Sequence, residues 1–135
     1  MKLPLPIGIK LYGSPDFRGD CPLENAELIT FIYHIKAHYS NIPALHIKNE
    51  GKRTYRQSVF EKTIGALHKG ACDIMIPGSP ALCLELKRKD HTKSIIDDDQ
   101  ITFLLNSSKL GAYSCVALGH EAAIEAFLDW KKNYD

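Results

Sequence analysis

Two apolar runs, residues 71–76 and 81–87, stand on either side of Pro77-Gly78-Ser79-Pro80. So much proline and glycine forces a tight reversal, and the two runs then read as the strands of a β-hairpin. Each run is broken by one acid. Asp73 interrupts Ala-Cys-Asp-Ile-Met-Ile, and Glu85 interrupts Leu-Cys-Leu-Glu-Leu. Folding the chain about residue 79 sets Asp73 opposite Glu85. Like charges directly opposed destabilise a strand pair, and acids inside buried strands cost free energy unless paired or metal-bound. A hard divalent cation, which takes carboxylate oxygens, is the natural partner. Lys87 lies two residues beyond Glu85 and so emerges on the same face of the strand. The backbone carbonyl of Leu86 lies along the same edge and is a further candidate ligand.

Two carboxylates and a lysine on one face suit phosphodiester hydrolysis. A divalent ion lowers the pKa of a water towards neutrality and polarises the phosphoryl oxygen. The ammonium stabilises charge that develops in the transition state. The competing reading is a surface hairpin with ordinary acids and bases, since an acid followed by Glu-x-Lys is common by chance. A third carboxylate comes from residues 24–39, where Leu28, Phe31, Ile32, Ile35 and Tyr39 follow helical spacing. Glu24 lies one turn before Leu28 on the inward stripe and is favoured as an added ligand, with Glu27 as the competitor. Either acid also suits the positive end of the helix dipole.

The rest of the chain supplies a sheet and its cover. Residues 44–48 read as a short strand, and Phe60, Ile64 and Leu67 as the stripe of a second helix that Gly70 closes. Asp97 opens a third helix carrying Ile101, Leu104 and Leu105, with Gly111 after its end. Residues 112–118 are another strand, and residues 121–131 a final helix built on Ile124, Phe127 and Leu128. Residues 1–22, rich in proline and glycine, read as an irregular N-terminal arm, and residues 23–135 as a single domain, which suits 135 residues. The order α-β-α-β-β-α-β-α predicts an α/β fold, a small mixed β-sheet flanked by helices.

Charge does not decide the partner, because the formal net charge is +1; only local clustering bears on nucleic acid. Cys72, Cys83 and Cys115 fall within apolar runs, where free cysteine behaves as a small hydrophobe. With Cys21 they fit a reducing cytoplasm better than a disulfide scaffold. Residues 1–9 lack the apolar stretch of a signal peptide, and no run approaches the length of a membrane span. His34 and His38 share a helix face at a spacing that can bind zinc, but ordinary histidine is the simpler reading.

Several segments together resemble the virus-type replication-repair nuclease (VRR-NUC) domain of the PD-(D/E)xK superfamily. They are Glu24-Asn25-Ala26-Glu27, Asn49-Glu50-Gly51-Lys52-Arg53, Lys69-Gly70-Ala71-Cys72-Asp73-Ile74, Leu84-Glu85-Leu86-Lys87, Asp99-Gln100 and Gly111. Their order and spacing match over residues 23–130. The sequence departs from that pattern at Leu28, where glutamine is frequent, at Glu50, which replaces a glycine, and over residues 89–98, which are longer than usual. The resemblance implies a restriction-endonuclease-like core and an endonuclease using Mg2+ or Mn2+, with Glu24, Asp73 and Glu85 as its acids. It also implies Gln100 as a supporting site residue, although Asp97-x-x-Gln100 reads equally as a capping box. Stand-alone phage members are similar to junction resolvases. That likeness implies a homodimer acting on branched double-stranded DNA such as four-way (Holliday) junctions. It also implies a cytoplasmic protein, bacterial or phage-encoded in a bacterial host.

Two basic clusters suit phosphate contacts. Lys48, Asn49, Lys52, Arg53 and Arg56 surround one turn, and Arg88, Lys89 and Lys93 follow the Glu-x-Lys strand. A solvated charged face is the ordinary alternative. The N-terminal arm and the final helix, with Phe127 and Trp130, are candidate dimer surfaces. The rival functions are a DNA-binding module that keeps the nuclease fold, a nuclease for flaps or nicked duplex, and a cysteine hydrolase built on Cys72 or Cys83.

Overall fold

The computed structural model describes residues 1–47, 54–65 and 68–135. Among them five strands form one mixed sheet in the order β1-β5-β4-β3-β2. The hairpin at its heart pairs β3 (Ile74–Ile76) antiparallel with β4 (Leu82–Lys87). Ile74 meets Leu84 and Ile76 meets Leu82, the register expected from a fold centred on residue 79. Strand β5 (Tyr113–Leu118) runs parallel to β4 on its other side. The two-residue strand β2 (Leu45–His46) closes the far edge against β3. Asp73 lies just before β3, and its carbonyl accepts the Ile47 N–H at 2.8 Å.

Helices cover both faces, as a parallel pair at the centre of a sheet requires. Helices α1 (Glu24–His38) and α4 (His120–Lys131) pack on the face formed by Ile74, Ile76, Leu82, Leu84, Leu86, Cys115 and Ala117. Helix α3 (Asp98–Lys109) covers the opposite face with Leu104, over Cys83 and Val116. All six residues of β4 are therefore buried. In α1 the expected stripe points inward: Leu28, Phe31 and Ile35 are buried, with Ile32 and Tyr39 packed at its margin. No helix among the described residues is long and apolar enough to cross a membrane.

Four features differ from the sequence reading. The N-terminal arm is not wholly irregular. Its Lys10–Tyr12 segment is strand β1, which pairs parallel with β5 and adds an edge to the sheet. A three-residue strand is too short to show a period, so nothing in the sequence marks it. Helix α2 (Tyr55–Thr63) exists, and Thr54 closes it with a capping box to Gln57. Its stripe is not buried among the described residues, however, for Phe60 and Ile64 are exposed; Leu67 lies outside the described residues. Gly70 is no cap to this helix, which ends at Ile64. It has φ +81°, and a β-carbon there would collide with the Asp99 backbone, so glycine lets the first turn of α3 approach the segment leading to Asp73. Helix α4 is rotated from its expected face: Ala122, Ala123, Ala126, Phe127 and Trp130 are buried, while Leu128 is 41% exposed. Small alanines let α4 sit close to the sheet, and Leu128 falls outside that contact.

The inward face of α4 is testable by denaturant unfolding. Phe127→Ala, at a fully buried ring, is expected to cost about 3–5 kcal/mol. Leu128→Ala is expected to cost less than about 1 kcal/mol, in line with ordinary surface changes. Equal losses would place Leu128 in the core instead.

Candidate active site

Side chains alternate across β4, so Leu82, Leu84 and Leu86 face α1 and α4 while Glu85 and Lys87 face the α3 side. Burial on that side leaves Glu85 2% and Lys87 3% exposed. The Lys87 ammonium lies 3.5 Å from Glu85 Oε1. It also donates to the Ile95 carbonyl at 2.6 Å and to Gln100 Oε1 at 3.3 Å. Gln100 in turn donates through Nε2 to Glu85 Oε1 at 3.1 Å. The same Gln100 closes the capping box of α3 with Asp97. The cap does not keep Gln100 from Glu85 and Lys87: one side chain makes both sets of contacts.

Asp73 completes the group from the neighbouring strand. Its Oδ2 accepts the Leu86 N–H at 2.8 Å, taking a bond that β3 would otherwise have supplied to β4. In an extended strand the N–H and C=O of one residue point the same way, so the Leu86 carbonyl also faces the Asp73 side. Burial raises the carboxyl pKa of Asp73 above its ordinary 3.8; the Leu86 N–H opposes the shift. Glu85 is raised well above its ordinary 4.5, first by burial and then by the charge of Asp73, with Lys87 opposing. Glu85 Oε2 is buried and has no hydrogen-bond partner among the described residues. An unpartnered carboxylate oxygen beside a second carboxylate is the donor set a hard divalent cation takes, so the residues fit a metal. Asp73 and Glu85 would hold it, with the Leu86 carbonyl and Glu24 alongside.

The structure separates the two acids of α1. Glu24 accepts from the Ser94 hydroxyl at 2.8 Å, just past the end of β4, and its charge adds to the upward shift at Asp73. Glu27 is 4% exposed and turns away to α4. Its Oε2 accepts the His120 backbone N–H and lies 3.2 Å from His120 Nδ1, which makes it the N-terminal cap that Gly119 cannot supply. A β-carbon at Gly119 would stand 2.8 Å from that oxygen. No three His, Cys, Asp or Glu side chains converge as a ready-made metal shell among the described residues. The preformed part is the Asp73–Glu85 pair, and Glu24 stands to one side with Ser94.

The expected basic clusters divide. Lys48, Asn49, Lys52 and Arg53 lie outside the described residues; Arg56 is exposed in the first turn of α2. The other cluster is spent on the arm. The Arg88 guanidinium donates to the Cys21 and Pro22 carbonyls. Lys93 donates to the Gly19 carbonyl, and Lys89 lies 4.7 Å from the centre of the Phe17 ring. Their polar ends contact residues 17–22, and Lys93 also lies 4.0 Å from Asp20 Oδ1. His34 and His38 stack on one another with ring centroids 4.5 Å apart. Cys72, Cys83 and Cys115 are free and buried, which removes the exposed thiol a cysteine hydrolase needs. Ser94 and the Ile95 carbonyl had no signal in the sequence, since a lone loop serine carries neither period nor motif.

No protein-family model matches the sequence, and no curated protein matches it either. Comparison of folds gives a different outcome. A solved structure described as a VRR_NUC domain protein superposes with a TM-score of 0.67, covering 86% of this chain and 93% of that one at 19% identity. The mixed five-stranded sheet with its flanking helices is the VRR-NUC fold.

Proposed function

We propose that this chain is a divalent-metal-dependent endonuclease that hydrolyses phosphodiester bonds in DNA. The observation that carries the proposal is the buried Asp73–Glu85 pair, with Glu85 Oε2 unpartnered and Lys87 3.5 Å from Glu85 Oε1. Two carboxylates pushed towards protonation by burial, and Glu85 further by the charge of Asp73, are costly to keep, and folding alone gives no return for them. A bound Mg2+ or Mn2+ would supply Lewis acidity towards the phosphodiester and a water. Asp73 and Glu85 provide its oxygens, and Gln100 fixes the rotamer of Glu85. Lys87, held by Ile95 and Gln100, keeps a positive charge where negative charge develops at phosphorus.

Branched DNA, four-way junctions in particular, is the proposed substrate, and a homodimer the proposed assembly. Their support is the resemblance to stand-alone phage members, together with the need for two sites to cut two strands symmetrically. Phe127 and Trp130 belong to this chain's own core and are withdrawn as interface residues. The exposed apolar side chains of α2, Tyr55, Val59, Phe60 and Ile64, are the better candidates. Phosphate contacts are assigned to Lys48, Asn49, Lys52, Arg53 and Arg56, and to Arg88, Lys89 and Lys93.

Cleavage of branched and linear DNAs with Mg2+ and Mn2+ tests the reading. Lys87→Ala and Asp73→Asn are each expected to lower the rate by about 10²-fold or more while DNA binding persists. Full activity in either variant would sink the assignment, and a wild type that binds DNA without cutting it would favour a binding module.

A second expectation concerns the metal-free protein. A carboxyl whose pKa is raised on folding leaves stability intact below its unfolded pKa and loses it as pH rises through the folded value. Asp73→Asn keeps an acceptor for the Leu86 N–H but removes one of the two charges. It is therefore expected to melt higher than wild type at pH 7–8, by roughly 4 °C for each kcal/mol relieved. The gain should shrink as pH falls towards 4, and added Mn2+ should stabilise wild type only. A variant less stable than wild type at pH 8 would contradict the strain assigned to the pair.

Sedimentation at micromolar concentration checks the assembly. A dimer that Phe60→Asp converts to monomer is the expected result, and wild-type monomer throughout would remove the dimer from the proposal.

A further inference from the structure

The connection between β4 and α3 touches the site twice, through neighbouring residues. Ser94 is 5% exposed. Its hydroxyl donates to Glu24 Oε1 at 2.8 Å and accepts the Arg88 backbone N–H at 2.9 Å. The next carbonyl along the chain, that of Ile95, accepts from the Lys87 ammonium at 2.6 Å. A hydroxyl has one donor and two lone pairs, so Ser94 can serve both partners at once. Two adjacent residues, Ser94 by its side chain and Ile95 by its carbonyl, thus hold the acid from α1 and the lysine from β4.

The connection is itself fixed from outside the site. The Asp90 carboxylate accepts from the Thr92 hydroxyl at 2.6 Å, from the Thr92 N–H at 3.0 Å and from the Gly19 N–H at 3.0 Å. The Thr92 hydroxyl, then the Gly19 N–H, hold its pKa down to about 2. Arg88 ties the start of the connection to the Cys21 and Pro22 carbonyls. At its far end Asp97 caps α3. Ser94 is therefore carried by an anchored segment and does not depend on Glu24 for its own place. The bond it gives is the charge-assisted kind, stronger than one between neutral groups. It engages one oxygen of Glu24 and leaves Oε2 for another partner.

We propose that Ser94 is a positioning residue that orients Glu24 towards the Asp73–Glu85 pair and, through the backbone that joins it to the Ile95 carbonyl, couples that orientation to Lys87. The inference rests on the nuclease reading above. A serine that only stitched the loop would need just the Arg88 bond; the second bond, to an acid facing the site, is the one that positions. Groups that orient metal-binding side chains typically change metal affinity or activity by 10–100-fold when removed.

The test uses the full chain, with Mn2+ titration calorimetry and cleavage rates measured against Mn2+ concentration. Ser94→Ala is expected to weaken Mn2+ binding and to raise the Mn2+ needed for half-maximal cleavage by roughly tenfold. Ser94→Thr, which restores the hydroxyl, should recover most of the loss. In a Glu24→Gln background Ser94→Ala should add no further change, because the group it acts through is already altered. Ser94→Cys fills the same space with a weak donor, so it should shift the Mn2+ dependence in the same sense even if the alanine variant folds poorly. Unchanged Mn2+ dependence in both the alanine and cysteine variants would overturn the inference, as would an equal loss in the Glu24→Gln background. If wild type neither binds Mn2+ nor cuts DNA, the nuclease reading fails first. If wild type is active and only the Ser94 expectations fail, the positioning role alone is lost.

Discussion

Glu85 and Lys87 occupy a strand covered on both faces, by α1 and α4 on one side and α3 on the other. The cost of desolvating charge is thus imposed by the architecture, because the hairpin's neighbours β3 and β5 fix β4 in the middle of the sheet. The molecule meets that cost piecemeal. Lys87 offsets part of the charge of Glu85, Gln100 satisfies one of its oxygens, and the Leu86 N–H satisfies one of Asp73. Among the described residues, the buried side-chain oxygen left without a hydrogen-bond partner is Glu85 Oε2. Buried polar groups are ordinarily satisfied, so such an exception asks for an explanation. Here the exception lies beside a second acid.

The hairpin and its register were legible in the sequence because one turn, Pro77-Gly78-Ser79-Pro80, set the pairing for every residue on both sides. Helix α1 was legible because its stripe does face the core. The failures share a cause: periodicity reports that a face is apolar, and it is silent about what lies opposite. Phe60 and Ile64 are a stripe left exposed among the described residues. In α4, alanines carry the contact that larger residues seemed to own, so Leu128 was assigned inward in error. Of the two acids in the first turn of α1, spacing favoured Glu24 and kept Glu27 as its competitor. The difference between Glu24 and Glu27 is made by partners distant in sequence, Ser94 and His120, which no local pattern reveals.

The basic residues after β4 show a related limit. A run such as Lys87-Arg88-Lys89 looks like one surface, but the chain uses its members separately. Lys87 goes inward, Arg88 grips the carbonyls of Cys21 and Pro22, and Lys89 lies over Phe17. Carbonyl oxygens satisfy hydrogen bonds without cancelling charge, so Arg88 ties down the arm and keeps its positive charge. Holding the arm and shaping the local potential are therefore compatible duties for one side chain.

The missing β-carbon at Gly70 has a wider reach than its turn. Because the backbone of Asp99 occupies that space, the opening turn of α3 and the approach to Asp73 are in direct contact. Gln100, the next residue, grips Glu85. The two acids therefore have their spacing gauged twice, once by strand pairing and once by a contact running through a residue with no side chain at all. A methyl group at Gly70 would drive a wedge into the second gauge while leaving the first untouched.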